Sequence, residues 1–216
     1  MTLGAVIFDL DGTLVDSASG ILSSFDAAFK SQGITPKKAL NFELIGPPLR
    51  SIMCQLADSD APHVIESLIS AFKLHYDLNG YQEIFEYASS KPLLAYMAQC
   101  QLPVFLATNK RKVPTDLIIE MLQWRRYFQG IYSLDSVNPT ASNKGALIQH
   151  ILHAHALSPM TTLYIGDRLD DAEAANAAGV QFFHAVWGYE RASELKEIGA
   201  GSLQALMDFI SAQGFS

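Results

Sequence analysis

Apolar residues in this chain occur in two kinds of stretch. Short unbroken runs lie at Ala5–Phe8, Val104–Ala107, Gly130–Ser133, Leu163–Ile165 and Val180–Ala185. Unbroken apolarity suits strands covered on both faces, as in a parallel sheet. Between the runs, apolar residues recur at three- and four-residue spacing, the period of an amphipathic helix. Lys91–Cys100 carries Leu93, Leu94, Tyr96 and Met97; Pro114–Gln123 carries Leu117, Ile118, Met121 and Leu122; Asn143–His155 carries Ala146, Leu147, Ile151 and Leu152. Asp170–Ala178 is alanine-rich and stops at Gly179, which serves as a C-terminal cap. Ser202–Ala212 reads as a last helix. Strands alternating with helices predict an α/β fold on a doubly wound parallel sheet.

One region breaks the alternation. From Ser17 to about Glu83 no run reads as a strand. Ser17–Gln32 places Ile21, Leu22, Phe25, Ala28 and Phe29 on one helix face, and Val64–Tyr76 does the same with Leu68, Ile69 and Phe72. Phe42–Ala57 is helical in pattern but interrupted by Gly46-Pro47-Pro48. The expected organisation is therefore an α/β core made of residues 1–16 and 85–216, with an all-helical cap domain, residues 17–84, inserted after the first strand.

Composition narrows the partners. Of 216 residues, 15 are Lys or Arg and 22 are Asp or Glu, giving a net charge of −7. Nucleic acid and anionic membrane both call for a positive surface, so neither is an expected partner. The two cysteines, Cys54 and Cys100, sit in apolar helical patterns and suggest a reducing compartment without a disulfide framework. The first strand begins at Ala5, with no signal peptide ahead of it, and no apolar stretch is long enough to span a bilayer. A cytoplasmic protein is expected. Oligomeric state leaves no trace in the sequence.

The polar residues that matter stand where the apolar runs end. In an open parallel sheet, ligands bind outside the carboxyl ends of the strands. The first run ends in Asp9-Leu10-Asp11-Gly12-Thr13, the second in Thr108-Asn109-Lys110, and the fourth in Gly166-Asp167-Arg168-Leu169-Asp170-Asp171. Lys144 opens the helix before the fourth run. Carboxylates at the end of a buried strand are costly unless something pairs with them.

These segments resemble a known family. "FDLDGTLVDS", "ATNK", Lys144 and "GDRLDDAEAANAAG" are similar, in order and spacing, to the four motifs of the haloacid dehalogenase superfamily in its phosphatase branch. "IGPPLR" and "VWGYE" resemble its phosphoglycolate phosphatase-like subgroup. One departure is that Lys144 is followed by Gly145-Ala146-Leu147 rather than a Pro-rich stretch. The resemblance implies a Rossmann-like core, a helical cap and a Mg2+-dependent phosphomonoester hydrolase.

It also implies roles. Asp9 would be the nucleophile, forming an aspartyl-phosphate. Asp11, facing the same side two residues on, would be the general acid and base. Gly12 would let backbone N–H groups approach the phosphate. Thr108 and Asn109 would donate to phosphoryl oxygens, and Lys144 would offset developing charge. Mg2+ would sit on Asp9, Asp167 and the carbonyl of Asp11, supported by Asp171. Two like charges 4 Å apart repel by roughly 4 kcal/mol at an effective dielectric near 20, so four acids around one lysine call for a divalent cation.

Other features have a functional and a plain reading. Arg50 is either a recognition group for a substrate carboxylate or second phosphate, or a solvated helix residue; Lys110 and Tyr76 are weaker choices for the same task. Thr108 and Asn109 also suit the cap of the next helix. His150, His153 and His155 suggest a metal site, but only the first two share a helix face. Trp124–Phe128, "WRRYF", mixes basic and aromatic residues as nucleic-acid sites do, though packing of Trp124 and Phe128 is the simpler expectation. The expected substrate is a small phosphorylated metabolite, phosphoglycolate first, with nucleoside monophosphates and sugar phosphates next. A phosphomutase would use the same intermediate.

Overall fold

In the computed structural model, residues 3–190, 199–200 and 202–213 are described. The chain divides into two compact units, Met1–Asp16 with Glu86–Ser216, and Ser17–Phe85. It enters through β1 (Ala5–Phe8), which is wholly buried, and turns into the short strand β2 (Val15–Asp16).

The Ser17–Phe85 unit is helical. Its α1 (Ala18–Ser31) buries Ile21, Phe25, Ala28 and Phe29, the face that the spacing predicts. A short turn at Phe42–Leu44 is separated from α2 (Leu49–Ala57) by Gly46-Pro47-Pro48. Proline has no N–H to give a helix, which explains the break. Pro62 instead starts α3 (Pro62–Leu78), where its fixed φ is compatible with the first turn. The unit's core includes an aromatic stack: the Phe25 and Phe72 rings lie 4.7 Å apart, and Tyr76 stacks on Phe72 at 5.8 Å. Tyr76, considered for substrate recognition, is therefore a buried core residue. After α3 comes β3 (Phe85–Glu86), which forms a two-stranded sheet with β2.

The second unit continues with α4 (Ser90–Gln99), β4 (Val104–Thr108), α5 (Lys112–Met121), β5 (Gly130–Ser133), α6 (Lys144–Ala154), β6 (Thr162–Gly166), α7 (Leu169–Ala178), β7 (Gln181–Ala185), β8 (Gly199–Ala200) and α8 (Leu203–Gln213). Among the described residues, six strands make one sheet in the order β5-β4-β1-β6-β7-β8, with parallel pairing throughout. The order reverses at β1, the switch point where such sheets open a crevice at their carboxyl ends. Phe8 pairs with Leu106 on one side and Ile165 on the other. The segments after β1, β4 and β6 consequently leave the sheet side by side.

Packing on one sheet face sets the site's geometry. Ile7, Phe105, Ala107, Tyr164 and Phe182 of the sheet pack with Leu147, Ile148 and Ile151 of α6 and Ala172 and Ala175 of α7. The two helices approach closely at Gly145, where a Cβ would meet the Ala177 Cβ at 3.3 Å and the Ala174 carbonyl at 3.4 Å. This accounts for Gly145 after Lys144: a larger residue or a proline would hold α6 away from the alanine face of α7. Asn143 caps α6, its Oδ1 accepting from Ala146 N–H at 2.9 Å.

The strands β2, β3 and β8 are absent from the sequence expectation. Each has two residues, too few to show periodicity. Among the described residues, no helix is long and apolar enough to cross a membrane.

Candidate active site

Asp9 follows β1, and its N–H donates to the Ile165 carbonyl at 2.8 Å, so backbone pairing on β6 fixes it. Lys144, the first residue of α6, is buried with its Nζ 3.3 Å from Asp9 Oδ1 and 2.5 Å from Asp171 Oδ1. Asp171 is fully buried in the first turn of α7. Its Oδ1 also accepts from the Tyr164 hydroxyl at 3.0 Å, and its Oδ2 from Arg168 N–H at 3.1 Å. Asp167 lies between β6 and α7, and its Oδ2 accepts from Tyr189 N–H at 2.7 Å. Asp11 points to a second lysine, with Lys110 Nζ 3.1 Å from its Oδ2.

The turn after Asp11 is shaped by Asp167. Gly12 has φ of 80°, and a Cβ there would collide with the Asp167 carboxylate. A side chain at this position is excluded by conformation and by space. Thr108 is buried at the end of β4, its Oγ1 accepting from Lys110 N–H at 3.2 Å. Asn109 Nδ2 donates to Asp170 Oδ2 at 3.3 Å. Asp170, in the first turn of α7, is partly exposed beside Asn109.

Three carboxylate oxygens, Asp9 Oδ1, Asp11 Oδ1 and Asp167 Oδ1, are buried without a hydrogen-bond partner. Buried charges normally have partners or bind a metal. Among the described residues, Asp9, Asp167 and Asp171 each offer a ligand atom within 4.8 Å of the others. Both Asp171 oxygens are already engaged, whereas Asp9 and Asp167 each present an oxygen without a hydrogen bond. The donor set is all oxygen, which fits a hard divalent cation.

The titration behaviour agrees. Burial pushes the Asp9 carboxyl up to about 7; Lys144 opposes this, while Asp171 and Asp11 add to it. Burial, then the neighbouring Asp171 and Asp9, raise Asp167 well above the usual carboxylate range. Burial disfavours the Lys144 charge, but Asp171 and Asp9 outweigh it and raise its pKa. Burial and the Asp171 charge also raise Tyr164, which stays protonated as a donor.

The structure thus gathers Asp9, Asp11, Gly12, Thr108, Asn109, Lys144, Asp167 and Asp171 at neighbouring strand ends. Arg50 belongs to the helical unit, where it is exposed and ion-paired with Glu66. Two of the histidines pack against aromatic rings: His155 Nε2 lies 2.8 Å from the Tyr132 hydroxyl, its ring packs on Phe105, and His150 meets Tyr132 edge-on; His153 is exposed. Trp124 and Phe128 are buried, and Arg126 lies over the Tyr127 ring. Residue-type reasoning missed Tyr164 and the loop after β7. Trp187 Nε1 donates to the Thr13 carbonyl at 3.0 Å, and the Tyr189 hydroxyl donates to Asp16 Oδ1 at 2.9 Å. The "VWGYE" motif was the available signal, but a backbone donor such as Tyr189 N–H has no signature in residue type.

Residues 6–185 match the haloacid dehalogenase-like hydrolase family. The chain belongs to that family. A 5'-nucleotidase of Pseudomonas aeruginosa is 29% identical over 192 residues, covering 88% of this chain and 86% of the relative. The tyrosine-protein kinase PtkA of Mycobacterium tuberculosis is 30% identical over 188 residues, 87% of this chain. The chain spans only 63% of that relative's length. Curated phosphoglycolate phosphatases match at 23–29% identity. A haloacid dehalogenase-like family protein from Streptococcus pneumoniae has the same fold, with a TM-score of 0.83, 28% identity and coverage of 96% of this chain and 98% of that one. The parallel α/β sheet is thus the family's Rossmann-like core.

Proposed function

We propose that this haloacid dehalogenase-like hydrolase is a Mg2+-dependent phosphatase of small phosphorylated metabolites, working through an aspartyl-phosphate. The observation that carries this reading is Asp9, fixed at a strand end and ion-paired with Lys144, with buried oxygens that accept no hydrogen bond on Asp9, Asp11 and Asp167. An Asp9 oxygen attacks phosphorus and the ester P–O bond breaks. Asp11 gives its proton to the leaving alkoxide. Asp11 then takes a proton from water, whose oxygen attacks phosphorus, and the acyl-phosphate P–O bond breaks. Asp9 is regenerated and inorganic phosphate leaves. Thr108 and Asn109 donate to the phosphoryl oxygens and Lys144 offsets their charge, while Gly12 lets the turn after Asp11 pack against Asp167. Asp9, Asp167 and the Asp11 carbonyl hold the metal, supported by Asp171. Bound there, Mg2+ offsets charge on the carboxylates and the phosphoryl group.

Residues 17–84 act as the substrate-selecting cap of a core formed by 1–16 and 85–216. Arg50 contributes to selection only if a substrate anion displaces Glu66. Phosphoglycolate is the first substrate candidate, on the motifs and the phosphoglycolate phosphatase relatives; nucleoside monophosphates follow from the 5'-nucleotidase. The kinase name of another relative favours a second reading, transfer to an acceptor other than water, which a sugar phosphomutase also performs. The test is phosphate release from phosphoglycolate, nucleoside monophosphates, sugar phosphates and p-nitrophenyl phosphate, with EDTA-treated protein and Asp9→Asn as controls. Mg2+-dependent release that the variant lacks is expected. Absence of release from every ester by folded protein would sink the hydrolase reading and leave phosphoryl transfer.

A further inference from the structure

The sequence pairs four acids with one lysine; the structure supplies a second. Lys144 is committed to Asp9 and Asp171. Lys110 stands on Asp11, and both side chains are largely buried, at 7% and 15% exposure. The Lys110 backbone is itself held, its N–H donating to Thr108 Oγ1 at 3.2 Å. The two oxygens of Asp11 are unequal: Oδ2 faces the Lys110 ammonium, while Oδ1 is buried without a hydrogen-bond partner. The terminal torsion of an aspartate is a broad, two-fold rotor, so the carboxylate has little orientation of its own.

The geometry points to Lys110 as the positioning residue for proton transfer. It anchors Asp11 Oδ2 and thereby presents Oδ1 as the oxygen that gives the proton to the leaving alkoxide and recovers one from water. This inference rests on the phosphatase reading above. It makes Lys110 part of the acid–base apparatus rather than a phosphate-binding group.

The test separates the two proton transfers by leaving group. An alkyl ester needs a proton on its departing oxygen; p-nitrophenolate, a weak base, leaves without one. Lys110→Met and Lys110→Gln would be compared with wild type on an alkyl phosphate and on p-nitrophenyl phosphate, with Mg2+, in rapid-mixing experiments. Positioning predicts that alkyl ester turnover falls roughly tenfold to a hundredfold, at or below the usual contribution of a full acid–base group. With p-nitrophenyl phosphate, the variants should release about one p-nitrophenol per protein at near wild-type rate, then turn over slowly because water activation is impaired. Lys110→Arg should restore part of the alkyl activity.

Equal loss of the p-nitrophenol burst and of alkyl turnover would overturn the inference, as would a rise in KM for both substrates with kcat unchanged. The second pattern would make Lys110 a phosphate binder. Wild-type protein inactive on both esters would instead reject the phosphatase reading itself.

Discussion

In the proposed reaction Asp9 must be both buried and ionised, and those demands conflict. Burial holds its carboxyl near 7, against 3.8 in the unfolded chain. Between these values the folded protein keeps a proton that the unfolded chain has lost. Linkage then requires EDTA-treated protein to lose stability as pH rises from about 4 to about 7, with no further loss from this group above that range. Melting temperatures across that range should fall, and Mg2+ should raise them most at the upper end. Asp9→Asn should flatten the slope; an unchanged slope would assign the effect elsewhere. Asp11→Asn should lower phosphate release about 10²–10⁴-fold, and a change of only a few-fold would remove Asp11 as acid and base. Tyr164→Phe deletes the hydroxyl that holds Asp171 Oδ1. Lys144 still donates to that oxygen, so the expected cost in chemical denaturation is about 0.5–1.5 kcal/mol, the net worth of one hydrogen bond.

Helix contact, more than any single side chain, places Lys144. α6 and α7 meet through Gly145 and the alanine face of α7, bringing the first residue of one helix to the first turn of the other. Gly145→Val should strain this contact by about 1–3 kcal/mol, as overpacking does. Because Lys144 moves with α6, activity should fall further than the stability loss explains, measured under conditions where the variant remains folded. Much of this arrangement was legible in the sequence. Unbroken apolar runs located β1, β4, β5, β6 and β7 to within a residue at most ends, and acids at their carboxyl ends marked Asp9, Asp11 and Asp167. The two-residue strands were not legible, because pairing partners rather than local pattern create them. Tyr164 was hidden in an apolar run, where its ring reads as core and only the fold reveals what its hydroxyl meets.

Across the whole chain, an acidic protein concentrates further negative charge at one end of its sheet. Under the proposed function, a metal held by the buried carboxylate oxygens there would make metal binding and folding stability parts of one equilibrium. Metal bound only by the folded state stabilises by an amount that grows with the logarithm of its concentration. Melting temperature should therefore climb steadily with Mg2+ beyond saturation, and Asp167→Asn should blunt the climb. The loop after β7 has a separate, practical consequence. The chain has two tryptophans. Trp124 is sealed in the core, while the half-buried indole of Trp187 donates to Thr13, in the turn that follows Asp11. In a Trp124→Phe background, emission from Trp187 becomes an intrinsic optical reporter of that turn, readable during titration and turnover without an attached dye.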